Sequence, residues 1–130
     1  MCLKIAWPEA DVCLIESSER KFRFLSWTAA RCGLPGLRVV HARAGAGAAV
    51  REAPFDAVAA RALRALPELR ALAFPLGRML AAWVSAEHRA ALGPGEVDEV
   101  ARYRLPGEDR DRFVAILLPP CATEPPAARG

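Results

Sequence analysis

The apolar runs of this chain are short, are bounded by turn residues and show little strict polar alternation. They occupy residues 11–15, 37–41, 55–59 and 78–84. Runs of this kind are typical of strands that are buried on both faces, as in a parallel sheet covered by helices. The spacing of these runs along the chain leaves room for a helix between successive strands. The pattern therefore predicts alternating strands and helices.

The intervening segments carry apolar residues at helical spacing. The clearest predicted helix runs from Ser18 to Cys32, with Ser18 as its N-cap and Gly33 ending it. Shorter helices are predicted at 3–7, 67–74 and 85–92, with a short one inside 42–50. Two closing strands, 97–103 and 113–118, flank a Pro-Gly turn. This order predicts an α/β fold whose last strand is antiparallel.

Length and composition indicate one globular domain. The chain has 130 residues, of which 53% are hydrophobic and 25% charged. We predict a domain at 1–118 and a disordered Pro/Ala-rich tail at 119–130. Only Lys4 and Lys21 among the 18 basic residues are lysine. Arginine suits phosphate recognition, but a GC-rich genome also produces this bias, so composition supports nucleic-acid binding only weakly.

The cysteines and the N-terminus restrict the class of protein further. Cys2, Cys13, Cys32 and Cys121 form no Cys-x-x-Cys pair, which disfavours a zinc site and predicts buried free thiols in a reducing compartment. No signal peptide is evident, and no window approaches the ~18 apolar residues of a membrane span. We expect a cytoplasmic protein with no membrane partner.

Glu16 is the most informative single position. It follows the apolar run Val12 to Ile15 and precedes two serines that open the predicted helix. Ligands of open α/β sheets bind at the carboxyl ends of the strands, where an acid can accept hydrogen bonds from ribose hydroxyls. The alternative is that Glu16 lies in a solvated loop and caps the following helix. The spacing alone leaves both interpretations open.

Several segments carry a resemblance to a known family over residues 3–118. They are Trp7-Pro8-Glu9-Ala10, Leu14-Ile15-Glu16-Ser17, Lys21-Phe22-Arg23-Phe24-Leu25, Arg43-Ala44, Phe55-Asp56-Ala57-Val58, Arg61-Ala62 and Asp111-Arg112-Phe113-Val114-Ala115-Ile116. The chain resembles class I S-adenosylmethionine methyltransferases, and more narrowly the glucose-inhibited division protein B (RsmG) family. The resemblance implies a Rossmann-like sheet whose antiparallel last strand is inserted by a hairpin.

The resemblance also implies a function and a set of cofactor-binding residues. Family members use S-adenosylmethionine to methylate ring nitrogen seven of a guanine in 16S ribosomal RNA. By position, Glu16 with Ser17 would hold the cofactor ribose, and Arg43 with Ala44 would line the adenine. Arg61 would lie where the RNA and the methyl donor meet. Methylation at a ring nitrogen depends on correct placement of the base and the methyl donor more than on acid–base chemistry. No catalytic residue is therefore predicted.

RNA binding is expected from basic residues near the carboxyl ends of the strands. The candidates are Lys21, Arg23 and Arg64, beside Arg61. The alternative for Arg23 is an ion pair with Glu19, four residues earlier on the same helix.

The chain departs from the family pattern in three places. The family's first strand and its Gly-rich loop are absent, Gly45 stands where an acid is frequent, and Trp83-Val84 replaces a Lys-Gly pair. Without the central first strand, two neighbouring strands have unpaired edges. Either the sheet re-closes, a partner or second copy supplies a strand, or the reading frame begins upstream of Met1. We therefore expect a truncated or degenerate methyltransferase, with a non-catalytic binding or scaffolding module as the alternative.

Overall fold

The computed structural model describes residues 1–61 and 65–119, which contain α-helices and mixed β-sheets. The elements in chain order are α1 Cys2–Ala6, β1 Val12–Glu16, α2 Glu19–Cys32, β2 Leu37–His41, α3 Gly47–Arg51, β3 Val58–Arg61, α4 Leu66–Ala73, β4 Leu80–Val84, α5 Ala86–Ala90, β5 Glu99–Tyr103 and β6 Arg112–Leu117. The predicted α/β class is thereby confirmed. Within the described residues, no helix has the length and apolar character needed to cross a membrane. The predictions for Arg64 and for the tail from residue 120 onwards lie outside the described residues.

The strands form two sheets. β1 and β2 pair in parallel, and the second sheet has the order β3-β4-β6-β5. In it β3 and β4 are parallel, whereas β6 runs antiparallel to both of its neighbours. The loop before β6 contains Gly107, whose φ of 79° suits glycine. The last strand, β6, therefore lies between β4 and β5 and is antiparallel to both, and its antiparallel direction agrees with the prediction.

The single continuous sheet expected from the sequence is not observed. Among the described residues β1 pairs only with β2, and β3 pairs only with β4. A ladder requires strand backbones to approach within about 4.8 Å, and β1 and β3 do not pair with each other. The re-closed sheet considered above is thus not the arrangement adopted. Among the described residues, β1 and β3 instead each form one edge of their own sheet.

The hydrophobic core lies in the second sheet. α4 packs on one face of that sheet, and the buried residues of this layer are Leu69, Ala73, Leu80, Ala82, Ala115 and Leu117. By contrast, every residue of β1 is only half-buried, and α2, which contacts β1 and β2, buries no residue completely. Because burial of apolar surface is the main stabilising contribution, we assign most of the stability to the second sheet.

The predicted strand at 55–59 begins too early. β3 spans Val58–Arg61, and Phe55 makes only an isolated parallel bridge to Gly77. A Cβ at Gly77 would lie 2.8 Å from Cγ2 of Val58 and 3.0 Å from the carbonyl oxygen of Phe55. Glycine permits this close backbone approach. The predicted strand therefore overlaps β3 only at residues 58–59, and its first residues lie ahead of the regular ladder.

The cysteine environments correct another expectation. Cys2 and Cys32 are exposed free thiols, so the prediction of buried thiols is wrong for both. Cys32 lies in the last turn of α2, where no other element covers it. Cys13 in β1 is half-buried, and burial raises the pKa of its thiol. Within the described residues, no group of three or more His, Cys, Asp or Glu could hold a metal ion.

A buried lysine fixes the connection from α1 to β1. Lys4 is only 3% exposed, and its Nζ donates to the carbonyl oxygens of Pro8 (2.6 Å) and Ala10 (2.7 Å). Burial of an ammonium group is costly unless its donors are satisfied. These two charge-assisted hydrogen bonds offset that cost and fold the segment from Trp7 to Asp11 against the helix.

Substitution Lys4→Met should destabilise the chain while keeping the apolar stem. Two carbonyl groups would lose their donor, at about 1–3 kcal/mol for a buried unsatisfied group. We expect a lower free energy of unfolding in urea titrations followed by circular dichroism. The matched control is Lys21→Met, since Lys21 is exposed on α2. Equal stability of the two variants would show that the Lys4 hydrogen bonds contribute nothing.

Candidate functional site

Parallel pairing brings the ends of β1 and β2 together. Glu16 is the last residue of β1 and lies opposite His41, the last residue of β2. The Ala42 N–H donates to the carbonyl oxygen of Glu16 over 3.1 Å. The chain therefore leaves the sheet at two adjacent points, one leading to Ser17 and the other to Arg43. The predicted cofactor-binding residues of this sheet share one edge.

The Glu16 carboxylate caps α2 and retains a second oxygen. Its Oε1 accepts the backbone N–H of Ser18 over 2.8 Å, whereas the Ser18 side chain makes no capping bond. An anion is favourable here because the first-turn N–H groups of a helix lack intrahelical acceptors. Among the described residues nothing donates to Oε2, and Glu16 is half-buried. Capping and ligand binding are therefore compatible at this carboxylate.

A pair of stacked rings that the sequence did not predict stabilises the carboxyl ends of β1 and β2. Phe22 of α2 stacks on His41 of β2, with ring centroids 5.0 Å apart and planes inclined by 16°. His41 Nε2 lies 3.2 Å from the carbonyl oxygen of Ser17. The pair joins the first turn of α2 to the end of β2 and so fixes the position of Ser17. His41 lies opposite Glu16 in the strand register, but its contact with Phe22 has no signal in the sequence.

The loop after β2 explains one departure from the family pattern. Gly45 has φ of 81°, and a Cβ there would lie 3.0 Å from Cδ2 of Leu72 in α4. An acid at this position would be both strained and crowded. Arg43 is exposed with no ion pair among the described residues, and Ala44 is half-buried. The loop thus offers a free guanidinium beside a small apolar side chain.

A cleft opens at the carboxyl ends of β3 and β4. It has a volume of about 370 Å³ and is lined by Ala59, Ala60, Arg61, Trp83, Tyr103, Leu105 and Arg112. Arg61 ends β3 and lies opposite Trp83, while Tyr103 lies opposite Arg112 in the β5–β6 ladder. Arg61 is exposed, and no described carboxylate lies within ion-pair distance of it. It is thus free to bind an anion.

The far wall of the cleft is held by ion pairs. Arg112 donates to both oxygens of Glu108, with Nη2–Oε2 and Nη2–Oε1 distances of 2.7 and 2.9 Å. Hydrogen bonds from Arg112 and then Arg110 lower the pKa of Glu108. The neighbouring Asp111 accepts from Arg104 over 2.6 Å, and that hydrogen bond lowers the Asp111 pKa. Arg112 is therefore held in a fixed position by a carboxylate that it shares with Arg110.

The predicted RNA-binding residues do not form one cluster in the described residues. Lys21 and Arg23 are exposed in the first turns of α2, above the first sheet, whereas Arg61 lies on the second. Arg23 makes the alternative contact, with its Nη2 2.6 Å from Oε1 of Glu19. Such an exposed pair is worth little. Arg64 is outside the described residues. RNA binding by these side chains stays a prediction.

Comparison with known proteins agrees with the motif resemblance. The family model "rRNA small subunit methyltransferase G" (GidB) matches residues 1–88. A protein of that name from Rubrobacter xylanophilus is 39% identical over 132 residues, covering 88% of this chain and 51% of the relative. Its namesakes from Halalkalibacterium halodurans and Limosilactobacillus reuteri are 33% and 29% identical, each over 88% of this chain and 54% of the relative. The chain spans about half the length of these curated relatives.

The Glu108–Arg112 pair predicts an acid-sensitive loss of stability. Since the folded-state pKa of Glu108 lies below its ordinary value of 4.5, its contribution is complete above that value. It is lost as the pH falls through the lowered folded pKa. Melting temperatures between about pH 6 and pH 3 should fall less in Glu108→Gln than in the wild type. The control Asp109→Asn alters an exposed, adjacent acid. Parallel pH profiles for wild type and Glu108→Gln would contradict the assignment.

Proposed function

Because the chain belongs to the rRNA small subunit methyltransferase G family, as its motifs predicted, we propose that it serves S-adenosylmethionine-dependent methylation of a guanine in 16S ribosomal RNA. The family match over residues 1–88 supports this proposal. The observation that carries it is the position of Glu16 at the end of β1, beside the loop that follows β2. An acid at this edge is suited to the ribose of a bound nucleoside.

The residues present fit one end of the cofactor. Oε2 of Glu16 can accept a ribose hydroxyl while Oε1 caps α2, and Ser17 lies beside it. Arg43 and Ala44 would flank the adenine, and Arg61 would lie toward the RNA. The Gly-rich turn that the resemblance implies has no counterpart in the described residues. Bound S-adenosylmethionine would supply the activated methyl group, and this chain would hold its nucleoside end.

The chemistry needs little from side chains beyond placement. A guanine ring nitrogen presents its own lone pair, so no general base is required, and orientation provides the rate enhancement. Exposed Lys21, Arg23 and Arg61, together with Arg64, would attract the RNA phosphates. A ribosomal RNA substrate would place the protein in the cytoplasm.

The cofactor proposal predicts a specific response to Glu16→Gln. The amide oxygen can still accept the Ser18 N–H, so the helix cap and the melting temperature should persist. Loss of the charge weakens the ribose hydrogen bonds, and S-adenosylhomocysteine should bind about tenfold more weakly in calorimetric titration. The control is Glu19→Gln, which removes a nearby acid that pairs with Arg23. Equal affinity in both variants, or no binding at millimolar ligand, would contradict the proposal.

A second function is favoured by the strand edges. β1 and β3 each have one unpaired edge among the described residues, and such edges accept strands from partners. A non-catalytic module of this kind would bind a partner strand or a second copy. We expect light scattering to detect a mass that rises with concentration if a second copy fills the edge. A constant monomer mass, combined with S-adenosylhomocysteine binding, would favour the methyltransferase function.

A further inference from the structure

Two aromatic side chains in the cleft of the second sheet remain unexplained by the cofactor site. Trp83 and Tyr103 are both half-buried, and both line the cleft. Glu16, Ser17, Arg43 and Ala44 follow strands of the first sheet, whereas of the residues implied by the resemblance only Arg61 lines this cleft. Trp83 also stands where the resemblance implies a Lys-Gly pair. The cleft therefore has a chemistry that the family pattern does not supply.

The strand register places the two rings on one face of the sheet. Trp83 lies opposite Val114 of β6, and Tyr103 lies opposite Arg112, two residues earlier on the same strand. Cross-strand partners project from the same face, and so do residues two apart on a strand. Both rings thus project from the face opposite the α4 core, since Ala82 and Ala115, which alternate with them, belong to that core. The result is a pair of apolar walls two strands apart.

The charges of the cleft are unequal. Arg112 is held in an ion pair by Glu108, which also pairs with Arg110, whereas Arg61 has no ion pair among the described residues. An anion would therefore bind at the Arg61 side, next to Trp83. A ligand that matches the cleft has flat π-faces and one negative charge near one end. A nucleotide of unpaired RNA has both features, whereas a duplex hides the faces of its bases.

We propose that this cleft binds an unpaired RNA nucleobase, stacked on Trp83 and Tyr103, with the adjoining phosphate at Arg61. The proposal rests on the proposed RNA substrate and adds the mode of its recognition. Stacking tolerates different bases, so the cleft holds a nucleotide by shape and charge. Arg112, fixed by Glu108, forms the rigid side of the cleft.

The first experiment measures binding of a short, labelled, unstructured RNA by fluorescence anisotropy. Trp83→Leu keeps apolar bulk but removes the π-face, and it should weaken binding about fivefold or more. Trp83→Phe should retain most of the affinity, which separates stacking from packing. Trp27→Leu is the matched control, because Trp27 is 62% exposed on α2. Wild-type affinity in Trp83→Leu would overturn the proposal.

Salt dependence tests the phosphate contact. Arg61→Gln should reduce the slope of log K against log salt by about 0.7, the value for one contact on a single strand. Trp83→Leu should lower affinity without changing that slope, since it removes no charge. An unchanged slope in Arg61→Gln would overturn the assigned phosphate position.

Tryptophan fluorescence tests the cleft without a substitution in it, so its result does not depend on whether the cleft variants fold. In the double variant Trp7→Phe, Trp27→Phe, the remaining tryptophan is Trp83, and RNA should quench its fluorescence. No quenching at low salt would overturn the proposal. Quenching in a protein that fails to bind S-adenosylhomocysteine would support the cleft and contradict the cofactor function. Binding of S-adenosylhomocysteine without quenching by RNA would support the cofactor function and overturn the proposed nucleobase cleft.

Discussion

Parallel strand pairing is the constraint on which the candidate sites depend. Parallel strands place their carboxyl ends at one edge, so Glu16 meets the loop after β2, and Arg61 meets Trp83. Neither juxtaposition is local in sequence. β1 and β3 are each the terminal strand of their sheet, so each has one unpaired edge among the described residues.

Stability and ligand chemistry are distributed unevenly over the two sheets. The second sheet has a buried layer beneath α4, whereas β1, β2 and α2 are half-buried at most. The first sheet instead relies on polar connections, such as the Lys4 hydrogen bonds and the Glu16 cap. Segments with few buried apolar contacts open at low free energy. The edge proposed to hold the cofactor therefore lies in the part of the chain with less buried apolar surface, where a bound ligand would add the most order.

The sequence predicted local structure better than long-range pairing. Short apolar runs located β1, β2, β4 and β6, and Ser18 and Gly33 marked the ends of α2. The run at 55–59 was misplaced because apolar character does not reveal where a regular ladder begins. A lysine buried among carbonyls has no sequence signature, so the role of Lys4 was not predicted.

The candidate site was predictable only where a strand end and a site residue coincide. Glu16 comes at the end of its strand, so its position could be inferred from the sequence. Its second, simultaneous role, as the side chain that caps α2, could not. The cleft could not be inferred, because Trp83 and Tyr103 approach each other only through the register of β6. The separation of the strands into two sheets could not be inferred either, because apolar runs do not show which strands pair.

The proposed nucleoside site at the ends of β1 and β2 can be tested by amide hydrogen exchange with and without S-adenosylhomocysteine. This measurement shows which segments of the chain the ligand protects. A nucleoside site at this edge predicts slower exchange in peptides that contain residues 14–18 and 41–46, with little change in the β5–β6 hairpin at 99–117. Protection confined to the hairpin, or no protection at saturating ligand, would contradict a nucleoside site at the ends of β1 and β2.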